Sequence, residues 1–395
     1  MDQVRNPFAP GAGNQPPELA GRRELLDKAE LTLARAGQGR HAKSFVMNGL
    51  RGVGKTVLLN RIEEMATARG FKAVLIEAHE DKSLTALLMP PLRKLLLALD
   101  RMGVANEQAK RAVRIFKSFA NSVKVKFSEF EVGLGIDAES GIADSGDLES
   151  DLPEVFVALG ESAKARKTVA VLLIDELQYL NDGELSALIM SIHKVNQKQL
   201  PLILIGAGLP QIVGNTGRSK SYAERLFDFP EVGPLTDQDS MVAIMEPITK
   251  EGEKISRPAF DLILQAAQGY PFFLQVWGYE AWNAASKSPI TPKDIEQARP
   301  RVEKNLDSSF FRVRFDRLTP SEKRYLFAMA ENGPGPHRSG DIAETLGVRV
   351  NSVGPVRSSL IKKGMIYSPA HGDTAFTVPL FDQFLLRQKG PTPSA

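Results

Sequence analysis

The stretch Gly49-Leu50-Arg51-Gly52-Val53-Gly54-Lys55-Thr56 constrains the fold more than any other part of the chain. Before it, Ser44–Asn48 (SFVMN) reads as a short buried strand, and after it residues 57–68 read as a helix. The glycines therefore sit on a strand-to-helix turn. There, the Gly-x-x-x-x-Gly-Lys-Thr spacing turns backbone N–H groups inward around a phosphate, and the helix N-terminus adds partial positive charge. Lys55 is then set to neutralise β- and γ-phosphates, and the Thr56 hydroxyl to ligate Mg²⁺. The residues predicted to cradle the nucleotide are Gly49, Arg51, Gly52, Val53, Gly54, Lys55, Thr56 and Val57.

A metal held between a hydroxyl and phosphates needs a carboxylate from a second strand. The segment TVAVLLIDELQYL supplies one: six apolar residues, too few for a helix, end in Asp175 and Glu176. Asp175 is predicted to hold Mg²⁺, directly or through water. Glu176, pointing the other way, is predicted to polarise an attacking water, which favours hydrolysis over transfer to a small acceptor. A helix over residues 182–197 and a strand in LPLILIGAG (200–208) follow. The end of that strand, where a polar side chain would sense the γ-phosphate, holds only Gly206, Ala207 and Gly208, so either a water or backbone group substitutes or hydrolysis is slow. Arg225 precedes the last short strand and is predicted to reach the γ-phosphate of a neighbouring subunit.

Together these residues resemble the AAA+ ATPases, and within them the origin-recognition-like and archaeal-type ATPases related to the STAND signalling NTPases. Two further segments carry the resemblance: ELAGRREL (18–25), similar to the family's opening box, and Gly269-Tyr270-Pro271, similar to the Gly-x-Pro element that begins a lid helix. The resemblance implies that Gly21 and Arg22 lie near adenine and that Pro271 borders the nucleotide. Many relatives carry a sensing arginine in that lid helix; here Phe272 and Phe273 stand instead, which is the STAND-like pattern. The implied fold class is α/β: a P-loop NTPase parallel-sheet core, a helical lid and a C-terminal winged helix-turn-helix. The boundaries expected are an N-terminal arm (1–18), the core (19–234) with an insertion at about 102–152, the lid (235–310) with four helical patterns, the winged helix (311–390) and a tail (391–395).

Between the phosphate-loop helix and TVAVLLIDELQYL, Leu84 to Arg101 reads as helix interrupted by Pro90 and Pro91, Asn106 to Ala120 as helix, and VKVKFSEFEVGLGI as a hairpin. DAESGIADSGDLESD after it is acidic and rich in glycine and serine, the composition of a mobile segment. Lys117, Lys124 and Lys126 leave a second DNA or partner contact open.

Charge decides little for the chain as a whole, whose formal net charge is +3, but it is concentrated. From Phe311 to Ala395 there are 12 Lys+Arg against 7 Asp+Glu, a local +5. If the C-terminal segment reads double-stranded DNA, the third helix would enter a major groove with Arg349, Asn351, Ser352, Arg357 and Ser358 leading, while Lys362, Lys363 and His371 meet the backbone. If it instead docks protein, as in STAND-like relatives, nucleotide would control self-association or partner binding. The histidines show no metal-ligand spacing, and the absence of cysteine excludes disulfides and cysteine-ligated zinc. With no apolar run beyond Val169–Ile174 and no signal-like N-terminus, the expected location is cytoplasmic, with no membrane partner.

Overall fold

The computed structural model describes residues 1–11, 13–100, 106–123, 137–370 and 372–389. The chain packs as two units, one of residues 24–48 and 58–231, the other of residues 1–23, 49–57 and 232–395.

The first unit is built on a parallel five-stranded sheet. Helix α1 (Arg23–Gly37) leads into β1 (Ser44–Asn48), and α2 (Lys55–Ala68) into β2 (Lys72–Glu77). Next come α3 (Leu84–Asp100), α4 (Glu107–Ser122), α5 (Leu148–Ala165), β3 (Ala170–Asp175), α6 (Asp182–Gln197), β4 (Leu202–Gly208), α7 (Gln211–Ser219), α8 (Ala223–Leu226) and β5 (Phe227–Asp228). The strand order is β2-β3-β4-β1-β5. All six residues of β3 are buried, so this strand is apolar without alternation, as a central parallel strand covered on both faces must be. Period two divides it: Ala170, Leu172 and Ile174 join the core of α3 to α6, and Val171 and Leu173 point the other way.

Two expectations for the segment between β2 and β3 are corrected. Pro90 and Pro91 do not interrupt α3, because Leu84, Leu88, Leu92, Leu95, Leu96 and Leu99 form one buried stripe whose burial outweighs the lost backbone hydrogen bonds. The acidic segment is not loose chain. Glu139 pairs with Arg111 at 2.9 Å and Arg114 at 3.6 Å, Asp147 caps α5, and buried Asp151 accepts from the Ser145 and Gly146 N–H groups. The hairpin expectation, with Lys124 and Lys126, lies outside the described residues apart from Val123.

The second unit contains four helices, α9 (Asp237–Lys250), α10 (Arg257–Ala267), α11 (Pro271–Ala284) and α12 (Pro292–Asn305). Their number matches the four helical patterns read from the sequence, and a Thr291–Asp294 capping box opens α12. The N-terminal segment packs on α11: the Trp282 indole donates to Asp2 O at 2.7 Å, and Phe8, 3 % exposed, fills the space over Gly278. A π-helical turn (306–311) and α13 (Arg312–Phe315) lead to α14 (Pro320–Glu331), β6 (His337–Arg338), α15 (Ser339–Leu346), α16 (Val350–Lys362), β7 (Ile366–Tyr367), β8 (Asp373–Phe376) and α17 (Phe381–Lys389). The antiparallel sheet runs β6-β8-β7. Three helices followed by a strand pair is the order expected of a winged helix-turn-helix, with Gly347 in the left-handed region at the α15–α16 turn.

This C-terminal domain is pinned by Glu322, whose side chain is 4 % exposed. Burial alone would raise its pKa, but hydrogen bonds from Lys363, Ser359 and the Thr319 N–H, with the Lys363 charge, bring it from 4.5 down to about 2. A depressed carboxylate pKa stabilises the fold above the unfolded value and loses that stabilisation as pH falls from about 4.5 towards 2. Lys363→Met is therefore expected to cost about 1.5–3 kcal/mol at neutral pH. Urea unfolding over a pH series should show the gap between wild type and variant closing as pH falls through that window; a gap constant with pH would rule the ion pair out as its source.

Candidate nucleotide site and C-terminal surface

The phosphate loop follows β1 and opens α2. Gly52 (φ +81°) and Gly54 (φ +94°) are in the left-handed region that side chains resist, which lets the backbone curl around a small volume. Lys55 is 7 % exposed, and its ammonium donates to Gly49 O at 2.8 Å and Leu50 O at 2.9 Å, so the cation is folded over the loop that sequence assigned to phosphate. Thr56 is exposed in the first turn of α2, Val53 is buried beneath the loop, and Val57 is half-buried.

Three neighbours in the same unit fix the loop. The Arg22 guanidinium donates to Val53 O at 3.0 Å and to Gly233 O at 2.7 Å. Burial lowers its pKa and the charge of Asp239 pulls it back; Gly21 (φ +66°) lies against the same aspartate. Arg22 thus braces the loop backbone, a role the resemblance did not assign. At the opening of α11, Pro271 occupies the first turn and the Phe272 N–H donates to Gly52 O at 3.2 Å. Gly269 is needed just before it: a Cβ there would stand 2.4 Å from Leu235 O. Finally, the Arg51 N–H donates to Thr377 O, just past β8, at 3.0 Å. Aromatic packing runs the same way. Phe272 stacks on Phe310 with centroids 4.7 Å apart, Phe310 meets Phe311 edge-on at 5.3 Å, and Phe311 stacks on Phe384 at 5.2 Å.

The acid pair belongs to the other unit. Ile174, Gly206 and Val46 are register partners across β3, β4 and β1, so Asp175 ends β3 at the carboxyl edge where β1 also ends, in Asn48. Asp175 is 4 % exposed, and its Oδ1 accepts the Glu176 N–H at 2.8 Å. Glu176 itself has φ +55°, strain of the order of 1–2 kcal/mol for a residue with a Cβ. Its carboxylate accepts from the Gln178 amide, and Gln178 Oε1 accepts the Leu209 N–H at 3.0 Å. Gln178 is the residue sequence reasoning missed: it brings an amide from β3's end to the place where β4 carries only glycine and alanine. The glycines leave room for this, since a Cβ at Gly206 would meet Leu177 at 2.3 Å and one at Gly208 would meet Gln178 at 3.1 Å. Arg225 is exposed on α8, within the same unit as the acid pair.

On α16 the reading changes. Arg357 donates to Thr374 Oγ1 at 2.8 Å, Ser368 Oγ at 2.8 Å and Asp373 O at 2.9 Å, and Lys363 donates to Glu322 Oε2 at 2.8 Å. Both carry the expectation of DNA contact, and both also tie α16 to the strands and to α14, where Thr374 and Glu322 are buried acceptors that need a donor. Arg349, Asn351, Ser352, Ser358 and Lys362 are exposed, Val348 and Val350 are exposed beside them, and His371 lies outside the described residues.

A parallel sheet with order β2-β3-β4-β1-β5, a glycine loop after β1 and a carboxylate ending β3 define a P-loop nucleoside-triphosphatase fold. More narrowly, residues 18–205 match the family model described as the AAA ATPase domain, and the chain carries such a domain. Residues 308–385 match a model described as a domain of unknown function (DUF8462). Among solved structures, the Walker-type ATPase PABY2304 of Pyrococcus abyssi is similar at 16% identity and a TM-score of 0.57, over 94% of this chain and 97% of its own. The Orc1 protein of Aeropyrum pernix in complex with DNA matches at 18% identity and a TM-score of 0.47, over 97% and 96%. The RuvB Holliday junction branch migration motor of Thermotoga maritima matches at 15% identity and a TM-score of 0.42, over 95% and 97%. No protein of curated function matches the chain significantly. Among the described residues no helix is long and apolar enough to cross a membrane, and no three His, Asp or Glu side chains cluster as a metal site.

Proposed function

We propose that the chain is an ATP-dependent switch that binds ATP with Mg²⁺, hydrolyses it slowly and passes its nucleotide state to the C-terminal domain. The donor set fits the ligand: a glycine loop with Gly52 and Gly54 at positive φ, a buried lysine and a helix N-terminus suit a triphosphate, and the oxygens of Thr56 and Asp175 suit Mg²⁺, which takes few protein ligands beside phosphates. Bound there, Mg²⁺ would neutralise charge on the β- and γ-phosphates. Glu176 orients and deprotonates water, and Gln178 holds its carboxylate in place. To Arg225 we assign the γ-phosphate of a neighbouring copy in a nucleotide-dependent oligomer.

The observation that carries the switch is the Arg51 N–H to Thr377 O hydrogen bond. A loop that closes on phosphate redirects its N–H groups, and here one of them is shared with the C-terminal domain. That domain is the output. Duplex DNA read in an origin-recognition-like manner would rest on Arg349, Asn351, Ser352, Ser358 and Lys362. The internal use of Arg357 and Lys363, beside exposed Val348 and Val350, favours the second reading, in which α16 docks protein and nucleotide controls oligomerisation.

The test is ATP turnover and duplex affinity, measured for wild type and Arg349→Ala/Lys362→Ala. Wild type is expected to turn over ATP, and the double variant to change duplex affinity by less than about twofold, since side chains on a protein-docking α16 meet no phosphate. A loss of tenfold or more would return DNA reading to α16, and a wild type without turnover would leave a binding protein and no enzyme.

A further inference from the structure

Four helix-to-strand loops converge on the amino edge of the parallel sheet, the edge opposite Asp175. They enter β2 (69–71), β3 (166–169), β4 (198–201) and β1 (38–43), four adjacent strands. None of these loops contains an acidic residue, yet each contains a cation. Some are used internally: Arg69 pairs with Glu30, Lys43 with Asp228 at 2.7 Å, and Arg166 donates to Asp100 O at 2.8 Å. Arg40, Lys167 and Lys198, with Lys164 in the last turn of α5, are exposed and have no carboxylate within 4.0 Å among the described residues. Lys164 also forms a shared wall between two depressions. One, of about 140 Å³, is lined by Arg40, His41, Asn196 and Gln199; the other, of about 670 Å³, includes Arg111, Arg114 and Lys198 with Glu107 and Glu161.

A helix C-terminus attracts a cation, which accounts for about one per loop. It does not account for Lys164 with Lys167, because gathering like charges on one edge costs stability unless an anion is shared among them. Four strands span three spacings, about 14 Å, over which a duplex presents about eight phosphates counting both strands. A single phosphate would leave most of these cations unused. Protein partners need an apolar or aromatic anchor, and single-stranded nucleic acid needs rings to stack on. The loops' one phenyl ring, Phe71, is packed on Gly37.

We propose that this amino edge, centred on Arg40, Lys164, Lys167 and Lys198, contacts the phosphate backbone of duplex DNA without reading its sequence. The contact is independent of the nucleotide site and of α16. It assigns DNA contact to the sheet unit and not to α16.

The test is the anisotropy of a labelled 20-base-pair random duplex titrated with the full chain between about 50 and 200 mM salt, the range over which phosphate contacts decide affinity. Arg40→Ala/Lys164→Ala/Lys167→Ala/Lys198→Ala is expected to lose at least about tenfold in affinity at the lower salt and to reduce the salt slope by about 2–4, since each phosphate contact contributes about 0.9. Its far-ultraviolet dichroism and basal ATP turnover should match wild type. Arg349→Ala/Lys362→Ala should bind as wild type does. The proposal is overturned if the quadruple variant keeps both affinity and slope, if only the α16 variant loses them, or if wild type binds polyglutamate and no duplex.

Discussion

Replacing Glu176 by Gln is expected to lower ATP turnover by roughly 10²–10⁴-fold, the usual contribution of a positioned general base, while ATP binding stays intact. The substitution keeps the shape and hydrogen-bonding reach of the side chain and removes only its ability to take a proton. The local structure makes this a clean comparison. The backbone at 176 is already held at φ +55° by the hydrogen bond to Asp175, and the Gln178 amide faces the side chain. Single-turnover hydrolysis beside an equilibrium titration separates the two effects. Unchanged hydrolysis with unchanged binding would remove Glu176 from the role of base, and Gln178 from the role of holding it.

The second large effect is expected from Lys55→Ala. Here binding, and not chemistry, is lost: a charge-assisted contact to phosphate is worth about 2–4 kcal/mol, so affinity for ATP should fall roughly 30- to 1000-fold. In the structure the Lys55 ammonium is bonded to the Gly49 and Leu50 carbonyls, which keeps a buried cation satisfied within the loop. The variant loses both partners at once, and the first turn of α2 is otherwise kept by Ala, a strong helix former. Calorimetric titration with ATP and Mg²⁺ checks the affinity, and a thermal melt shows whether the loop change reaches the fold.

Local patterns made much of this protein legible in its sequence, and long-range ones did not. The glycine loop, the apolar run ending in Asp175 and Glu176, and the four helices from Thr236 to Asn305 were readable because glycine spacing, burial of a short run and a cap such as Thr291 are properties of neighbouring residues. Helix α5 was not, because Asp147 and Asp151 look like the residues of a loose acidic segment until their carboxylates are seen accepting backbone N–H groups. The doublet Pro90-Pro91 misled for a related reason: a buried leucine stripe decides the helix, and its burial depends on α4 and α5. At the site, Gln178 was invisible because its partners are Glu176 and Leu209, which only folding brings to one place. The internal partners of Arg357 and Lys363 were equally invisible, because sequence shows their charge and not Glu322, Ser368 or the Asp373 carbonyl beside them.

What joins these parts in the proposed switch is the contact of the phosphate loop with Thr377 and the run of phenyl rings from Phe272 to Phe384. Amide hydrogen exchange across residues 350–377, with and without ATP and Mg²⁺, tests that coupling most directly. The account predicts that nucleotide changes protection there in wild type and in Glu176→Gln, and leaves it unchanged in Lys55→Ala. Exchange that is identical with and without nucleotide in wild type, at concentrations where ATP is shown to bind, would contradict it.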